Sequence, residues 1–429
     1  MSESFIHYLW QFQYFNKQAL TTSDGEPVYI FHPGYKNMHA GPDFEQARVR
    51  IGTIEWIGSV EIHIDASGWT DHRHEQDAAY NNVVLHVVWR NNKPALRKDG
   101  TTLPTLELQE RVDDALILRY KKLAGNPEEI PCAPSLSAVS GIVVLSMLDK
   151  ALAERLQRKV GAVFDLLKRN NNHWEETCYQ LLARNFGFKV NADSFLQLAQ
   201  GLPYKVLLKH ADAAASIEAL LFGQSGFLDE EVANDDYIHL LKREYTVLSH
   251  KFSLHDRKLN KAQWKFLRLR PANFPTIRLA QFAALLLNQK NIVSKILEAE
   301  TYQELRQLFA ARQSPYWRQH YQPGKIVREE IPWLGDMSID NIIINTVIPI
   351  LAAYGKLRDD QVYTDRAIAI LQTVSSESNS IVNRWQALGI KTTTAFDSQA
   401  CIELFTNFCS KHRCLDCNIG ASLLKPVHT

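Results

Sequence analysis

A mixed α/β region followed by a larger helical one is the fold class the sequence predicts, α/β of the α+β kind, and three observations predict it. Between residues 27 and 89, short runs alternate apolar and polar side chains or are β-branched throughout, as half-buried and fully buried strands require. Beyond about residue 126 nearly every segment has helical periodicity. The two textures meet at residues 126–135, which hold three prolines. A chain of 429 residues exceeds what one hydrophobic core usually serves, so an α/β domain over 1–125 and a helical domain over 126–429 are expected.

In chain order, Phe5 to Tyr14 is an aromatic-rich first helix with Phe5, Leu9, Phe12 and Trp10 on its inner side. Pro27 to His32 is a strand stopped by Pro33 and Gly34. Ala47 to Ile51 and Ser59 to Ile64 are two more, the second with Val60, Ile62 and Ile64 alternating with Glu61 and His63. A short helix is expected at Asp77 to Tyr80. Asn82 to Trp89, apolar on both faces, reads as a strand in the middle of a sheet. Helices are then predicted over Ile142–Leu167, Trp174–Phe186, Ala192–Leu202, Tyr204–Leu221, Glu231–Leu248 and Arg278–Leu287. Ser338 to Tyr354 reads as a buried helix kinked by Pro349, with Ser338 or Asp340 as its cap and Asn341 and Asn345 four apart.

The stretch from Gly41 to Arg90 gathers the possible metal ligands: Asp43, Glu61, His63, Asp65, His72, His74, Asp77 and His86. Two residues apart on one strand, Glu61 and His63 point to the same side. Asp43 at the start of the preceding strand can meet Glu61 on one hard cation, and oxygen ligands suit Mg²⁺ or Mn²⁺. Against this stands a plainer reading, with Asp43 capping a turn and Glu61 on a solvated strand face. His72, His74 and Asp77 offer a second donor set, of a kind zinc or manganese takes, or else polar groups on a loop lining a substrate.

The order helix, three strands, helix, strand, with Pro42 and Asp43 before the second strand and Glu61, Ile62 and His63 on the third, resembles the core of the PD-(D/E)xK nuclease superfamily. The resemblance implies phosphodiester hydrolysis, with Asp43 and Glu61 on Mg²⁺ and His63 standing where that superfamily has lysine, to orient or deprotonate the water. More of the chain is similar to the uncharacterised bacterial domain-of-unknown-function family 2851. The likeness lies in Leu9 to Asn16, Asn37 to Phe44, Gly58 to His63, Asp77 to Val83, Leu85 to Val88, Arg270 to Arg278, Ser338 to Asn341 and Cys414 to Gly420. Gly68 stands where that family's pattern leads one to expect an acid. No activity comes with this family.

In the helical part, residues 251–278 hold eight Lys or Arg and one acid, Asp256, with Trp264 and Phe266 among them. Such a run either tracks a phosphate backbone, Arg268, Arg270 and Arg278 being its contacts, or is a solvated face. Near the end, Cys409, Cys414 and Cys417 crowd into nine residues, with Cys401 about two helical turns earlier. The tail 401–417 is expected to bind zinc or an iron–sulfur cluster through these four, or to hold reduced thiols, Cys414 and Cys417 being a redox pair. Some nucleases of the resembled superfamily carry a cysteine-bound iron–sulfur cluster after their catalytic core.

Charge is nearly balanced at +1, which excludes a wholesale polyanion binder but not a local patch. Six cysteines are too few for a disulfide scaffold, the N-terminus has no secretory pattern, and the most apolar run, Ile342 to Tyr354, is interrupted by Asn345 and Pro349. A cytoplasmic protein outside the membrane is expected. Its expected function is that of a metal-dependent nuclease on DNA or RNA. The alternatives are a non-catalytic nucleic-acid binder with a degenerate nuclease fold, and a metallohydrolase of small molecules with His72 and His74 as ligands.

Overall fold

The first helix starts where a serine can cap it. In the computed structural model, which describes residues 1–229 and 235–425, α1 spans Glu3–Phe12 and the Ser2 hydroxyl accepts the Phe5 amide at 3.3 Å. Gln13, left-handed at φ 55°, ends it before Tyr14. Phe5, Ile6, Leu9 and Trp10 are buried. Phe12, expected inside, instead lies 45% exposed, packed against the Tyr8 and Tyr14 rings. The Trp10 indole donates to the Pro33 carbonyl at 2.9 Å and ties the helix to the turn beyond the first strand.

Six strands follow: β1 (Val28–His32), β2 (Tyr35–Lys36), β3 (Phe44–Ile51), β4 (Ile54–Asp65), β5 (Val83–Arg90) and β6 (Thr105–Glu107). They form one mixed sheet in the order β1-β3-β4-β5-β6, with β2 also paired to β3. Pairing is antiparallel from β1 to β4 and parallel from β4 through β5 to β6. Parallel neighbours need a crossover, and that between β4 and β5 carries a four-residue helix, α2 (Gly68–Asp71), and two 3₁₀ turns, His74–Gln76 and Ala78–Tyr80. β4 is twice as long as its apolar alternation predicts, because Ile54, Trp56 and Ile57 pair with β3 while remaining exposed. A bulge between Phe44 and Ala47, with Gln46 at φ 57°, bends β3 just after Asp43.

Contacts divide the chain into two compact units, one of Met1–Leu148 with the segment from Leu404 onward, the other of Asp149–Glu403. The boundary expected near residue 125 therefore falls inside α4 (Gly141–Arg169), and the cysteine-bearing tail belongs to the unit of the sheet. Packing explains why. The C-terminal helix Asn418–Leu424 lies against α3 (Asp114–Ala124), Tyr8 donates to the Ala421 carbonyl at 3.2 Å, and the Asn418 side chain donates to Ser146 at 3.0 Å.

The other unit is built of helices and one two-stranded antiparallel hairpin, His320–Gln322 with Lys325–Ile326. Trp174–Phe186 forms as the sequence predicts, while Tyr204–Leu221 breaks into Tyr204–Leu208 and Ala214–Gln224. The helix expected from Glu231, a residue outside the described ones, runs over Asp236–Lys251 with Asp235 as its cap. Pro275, favoured in a first turn, starts the helix Pro275–Asn288 three residues before Arg278. The segment around Pro349 is helical over Asp336–Ile342 and Ile348–Arg358, joined by a π-turn at Ile343–Val347. Its cap is Gly335, not Ser338 or Asp340. The turn widens the helix just ahead of the proline, whose missing N–H could not continue it. Asn345 donates to the Asn341 carbonyl at 2.9 Å and accepts from the buried Lys159. By length and composition Asp336–Arg358 could span a bilayer, but 67% of its apolar window is buried within the protein.

Because α1 hangs from the sheet unit by Trp10, Trp10→Ala is expected to cost about 3–5 kcal/mol. Trp10→Phe should cost less, about 1–3 kcal/mol, mainly by leaving the Pro33 carbonyl unpaired. Urea denaturation followed by tyrosine and tryptophan fluorescence checks both, and a Trp10→Phe cost near zero would show that the hydrogen bond contributes nothing.

Candidate metal centre

The antiparallel register between β3 and β4 sets Phe44 opposite Val60, and hence Asp43 beside Glu61. Each carboxylate then reaches across to the other strand's backbone. Glu61 Oε2 accepts the Asp43 amide at 3.1 Å, and Asp43 Oδ2 accepts the Ile62 amide at 3.0 Å. Glu61 is only 5% exposed. Burial first, and the nearby Asp43 charge second, push its carboxyl up to about 9.

Histidines converge from three directions. His63, two residues on along the same face of β4, places Nδ1 2.9 Å from His86 Nε2 on β5 and Nε2 3.2 Å from His72 Nδ1. His74 brings Nε2 to 3.3 Å from Glu61 Oε1. One ring nitrogen of each of His63, His72 and His74 lies within 4.8 Å of the other two. Burial, and then the neighbouring imidazoles, lower His63 to about 4, and burial with His63 lowers His86 to about 3. Both rings are therefore neutral at pH 7, with lone pairs to offer. A His63 Nδ1–H donated to His86 leaves His63 Nε2 free to face the cluster, which is how a second imidazole orients a metal ligand.

A second group adjoins the first. His7, one helical turn after Glu3 on α1, holds Nε2 3.2 Å from Asp43 Oδ2, and Glu3, His7 and Asp43 each bring a ligand atom within 4.8 Å of the others. The His7 and His74 Nε2 atoms are buried and close to carboxylate oxygens, yet neither makes a hydrogen bond of acceptable geometry. Donor atoms that converge without pairing are arranged as ligands of a shared cation are. Glu61 stands between the two groups, one oxygen toward His74 and the other toward Asp43.

The loop carrying His72 and His74 is held by Trp69, buried and donating to the Leu96 carbonyl at 2.8 Å, and by Tyr80, stacked on His74 at 3.8 Å. Gly68 lies flat against the His63 ring, and a Cβ there would come within 2.5 Å of His63 Cδ2. The acid that the family pattern leads one to expect at this position has no room beside His63. Asp77 accepts the Ala79 amide at 2.9 Å, capping a 3₁₀ turn at the exposed rim.

The sequence-predicted residues therefore fall into three groups. Asp43, Glu61, His63, His72 and His74 meet in one place, with Asp77 at its edge. Arg268 and Arg270 are exposed on a loop of the helical unit. Arg278 cannot contact phosphate as expected: it is 7% exposed, bonded to Gln281 and Asn273 and stacked on Phe188. Trp264 is likewise buried, its indole donating to the Ser225 carbonyl, so it offers no face to a base. Sequence reasoning missed Glu3 and His7 as members of the site, and counted His86 among the possible ligands without giving it a role. The signals were an acid and a histidine four apart on the first helix, and a lone histidine in an apolar strand.

A model of the family described as protein of unknown function (DUF2851) matches residues 3–380. The chain belongs to that family. The match takes in Glu3, every histidine of the cluster and both carboxylates, so the centre lies within what the family model describes, whereas the cysteines from Cys401 onward lie beyond it. No curated protein and no solved structure matches the chain.

With divalent ions stripped by EDTA, Glu61 should make stability fall with rising pH. Its folded value of about 9 lies above the ordinary 4.5, so its contribution is complete below 4.5 and lost as pH climbs toward 9. The limiting slope is about 1.4 kcal/mol per pH unit. His63 acts in the opposite sense, its contribution being present above 6.5 and lost as pH falls through about 4. Glu61→Gln is expected to flatten the alkaline limb of a Tm-against-pH curve and leave the acid limb in place. An unchanged alkaline limb would mean that Glu61 ionises freely in the folded protein.

Proposed function

We propose that this protein is a divalent-metal-dependent hydrolase of phosphodiester bonds, a nuclease acting on DNA or RNA. The observation that carries the reading is the pairing of Asp43 and Glu61 across β3 and β4, with unpaired imidazole nitrogens facing the same carboxylates. A buried acid held protonated for want of a counter-charge is a natural ligand for a divalent ion, which would take the place of its proton. Asp43, Glu61, Glu3 and His7 would hold one ion, and His63, His72 and His74 with the other oxygen of Glu61 a second. Mixed oxygen and nitrogen donors suit Mn²⁺ or Zn²⁺ as well as Mg²⁺. A bound ion of this kind polarises the phosphate and lowers the pKa of an attacking water.

The protein's own groups supply the rest. His63, where the resembled nucleases have lysine, is too weak a base near pH 4 to take a proton readily at neutral pH, and serves better as a ligand oriented by His86. His72 is exposed at the mouth of the cluster, where it can meet an incoming substrate. On the helical unit, the exposed Arg268 and Arg270 are suited to bind phosphates of a polymer.

A second reading, hydrolysis of a small molecule at the same centre, is favoured by one feature. A cavity of about 370 Å³ beside His74 is lined by Trp69, Tyr80, Arg97 and Asp99 among others, and this is room for a single nucleotide-sized group rather than a duplex.

Labelled single- and double-stranded DNA and RNA, each incubated with Mg²⁺, Mn²⁺ or Zn²⁺, test the proposal. Cleavage is expected with at least one ion. Asp43→Ala and Glu61→Gln should reduce it about 100-fold or more while nucleic acid still binds. His86→Ala should weaken the ion's apparent affinity about 10- to 100-fold. Arg268→Glu with Arg270→Glu should weaken polymer binding and spare the hydrolysis of a small phosphodiester. Cleavage that survives Asp43→Ala would remove the nuclease reading, and activity confined to small phosphoesters would select the second.

A further inference from the structure

Two sets of turns in the sheet unit meet at the cavity beside His74. The 3₁₀ turns His74–Gln76 and Ala78–Tyr80 bring His74, Glu75 and Tyr80 to its lining. From the other side comes the tight turn after Leu96, where the Arg97 amide donates to the Thr101 carbonyl at 2.8 Å and the Gly100 amide returns to the Arg97 carbonyl at 2.9 Å. That turn contributes Arg97, Lys98 and Asp99. Trp69 ties the two together, lining the cavity while its indole donates to the Leu96 carbonyl at 2.8 Å. Beneath them Trp69, Val83, Ala95 and Leu103 form a buried cluster with Tyr80 packed on it, so the cavity floor is part of the core.

The polar groups of this lining are unevenly satisfied. Asp99 is occupied within its own turn, Oδ1 accepting the Thr101 amide at 3.0 Å and the Thr101 hydroxyl at 2.6 Å. Glu75 is not. Its Oε1 accepts from the Gln76 amide group at 3.1 Å, whereas Oε2 is buried and has no hydrogen-bond partner. A buried carboxylate oxygen left bare is costly, and a donor brought by a ligand removes that cost. Arg97 donates Nη2 to the Val83 carbonyl at 3.0 Å, which satisfies a hydrogen bond but cancels no charge. Lys98 beside it is exposed at the rim.

We infer that the cavity is a nucleobase subsite, which takes a base bearing an exocyclic amino group and reads it through Glu75. The amine supplies the hydrogen that Oε2 lacks, Tyr80 gives an aromatic wall, and Arg97 and Lys98 meet phosphate. Uracil, thymine and hypoxanthine carry a carbonyl oxygen in the amine's place and would set acceptor against acceptor. At about 370 Å³, near the lower end of the roughly 300–1,000 Å³ usual for ligand pockets, the cavity has room for one base with its sugar. A base pair does not fit, so the base must come unpaired, from a single strand or a frayed end. His74 belongs to both places: it lines the cavity, and its Nε2 lies 3.3 Å from Glu61 Oε1. A base seated here lies one imidazole ring from the carboxylates. As a subsite the cavity depends on the hydrolase proposed above; as a binding site it depends on its own lining alone.

Calorimetric titration of the full chain with two matched pairs of nucleoside monophosphates tests this, in EDTA and again with Mg²⁺. CMP and UMP, like AMP and IMP, differ by an amino group exchanged for a carbonyl oxygen, and none of the four holds a phosphodiester bond to cleave. In at least one pair and one buffer the amino member is expected to bind about 10-fold or more tightly than its partner. Glu75→Gln should bring that pair to within about 3-fold, because the side-chain amide can donate to the carbonyl as well as accept from the amine. Asp99→Asn removes a neighbouring charge already bonded in its turn and should keep the wild-type ratio. Should Glu75→Gln not fold, the wild-type and Asp99→Asn ratios decide. Equal affinities within both pairs, a preferred carbonyl member, no binding of any of the four, a preference that survives Glu75→Gln, or one that is lost in Asp99→Asn would each overturn the proposal. Polymer cleavage without the preference would remove this subsite and leave the hydrolase standing, and the preference without cleavage would do the reverse.

Discussion

Two carboxylates on neighbouring antiparallel strands, each bonded to the other strand's backbone, are what the N-terminal unit is built to hold. The exchange between Asp43 and Glu61 fixes both acids where their charges repel and where Glu61 has little access to water. Such an arrangement is costly for a bare protein, since an ionised carboxylate in a buried site needs a compensating charge. Among the described residues no lysine or arginine supplies one, and the ion pairs made to Asp43 and Glu61 come from His7, His63 and His74. A neutral imidazole such as that of His63 does not neutralise an acid, but it can offer a lone pair to a cation.

Seen this way, the histidine at position 63 changes the character of the site. A lysine there would bring its own positive charge beside the two acids. His63, lowered by burial and by the His74, His72 and His7 imidazoles, offers a lone pair instead. The rest of the unit then serves that placement: the bulge after Asp43 aims one acid, Gly68 leaves room for the His63 ring, and Trp69 and Tyr80 hold the loop that delivers His72 and His74. Helix α1 brings Glu3 and His7 to Asp43, held by Trp10 on Pro33 and by Phe5 stacked on Tyr120.

The tail is a second place where distant segments must meet. A chain that leaves the sheet unit at residue 148 and returns at residue 404 must be fastened on its return. The short helix Asn418–Leu424 buries few side chains, so its packing alone is weak support.

The amino-acid sequence by itself determined the order of elements, the change from strand to helix texture, and the two strands that bear Asp43, Glu61 and His63. Those features rest on periodicity and turn chemistry, which are local and survive without knowledge of partners. It also determined that His72 and His74 sit in one loop, but not that the loop folds back onto β4. Tertiary structure alone decided that Glu3, His7 and His86 join the site, that Arg278 is buried against Phe188, and that Cys401 falls in a different unit from the later cysteines. Each of these depends on strand register, on a crossover, or on the return of a distant segment. No short-range pattern encodes such contacts, because the energy that fixes them comes from burying surfaces that meet only when the chain is folded.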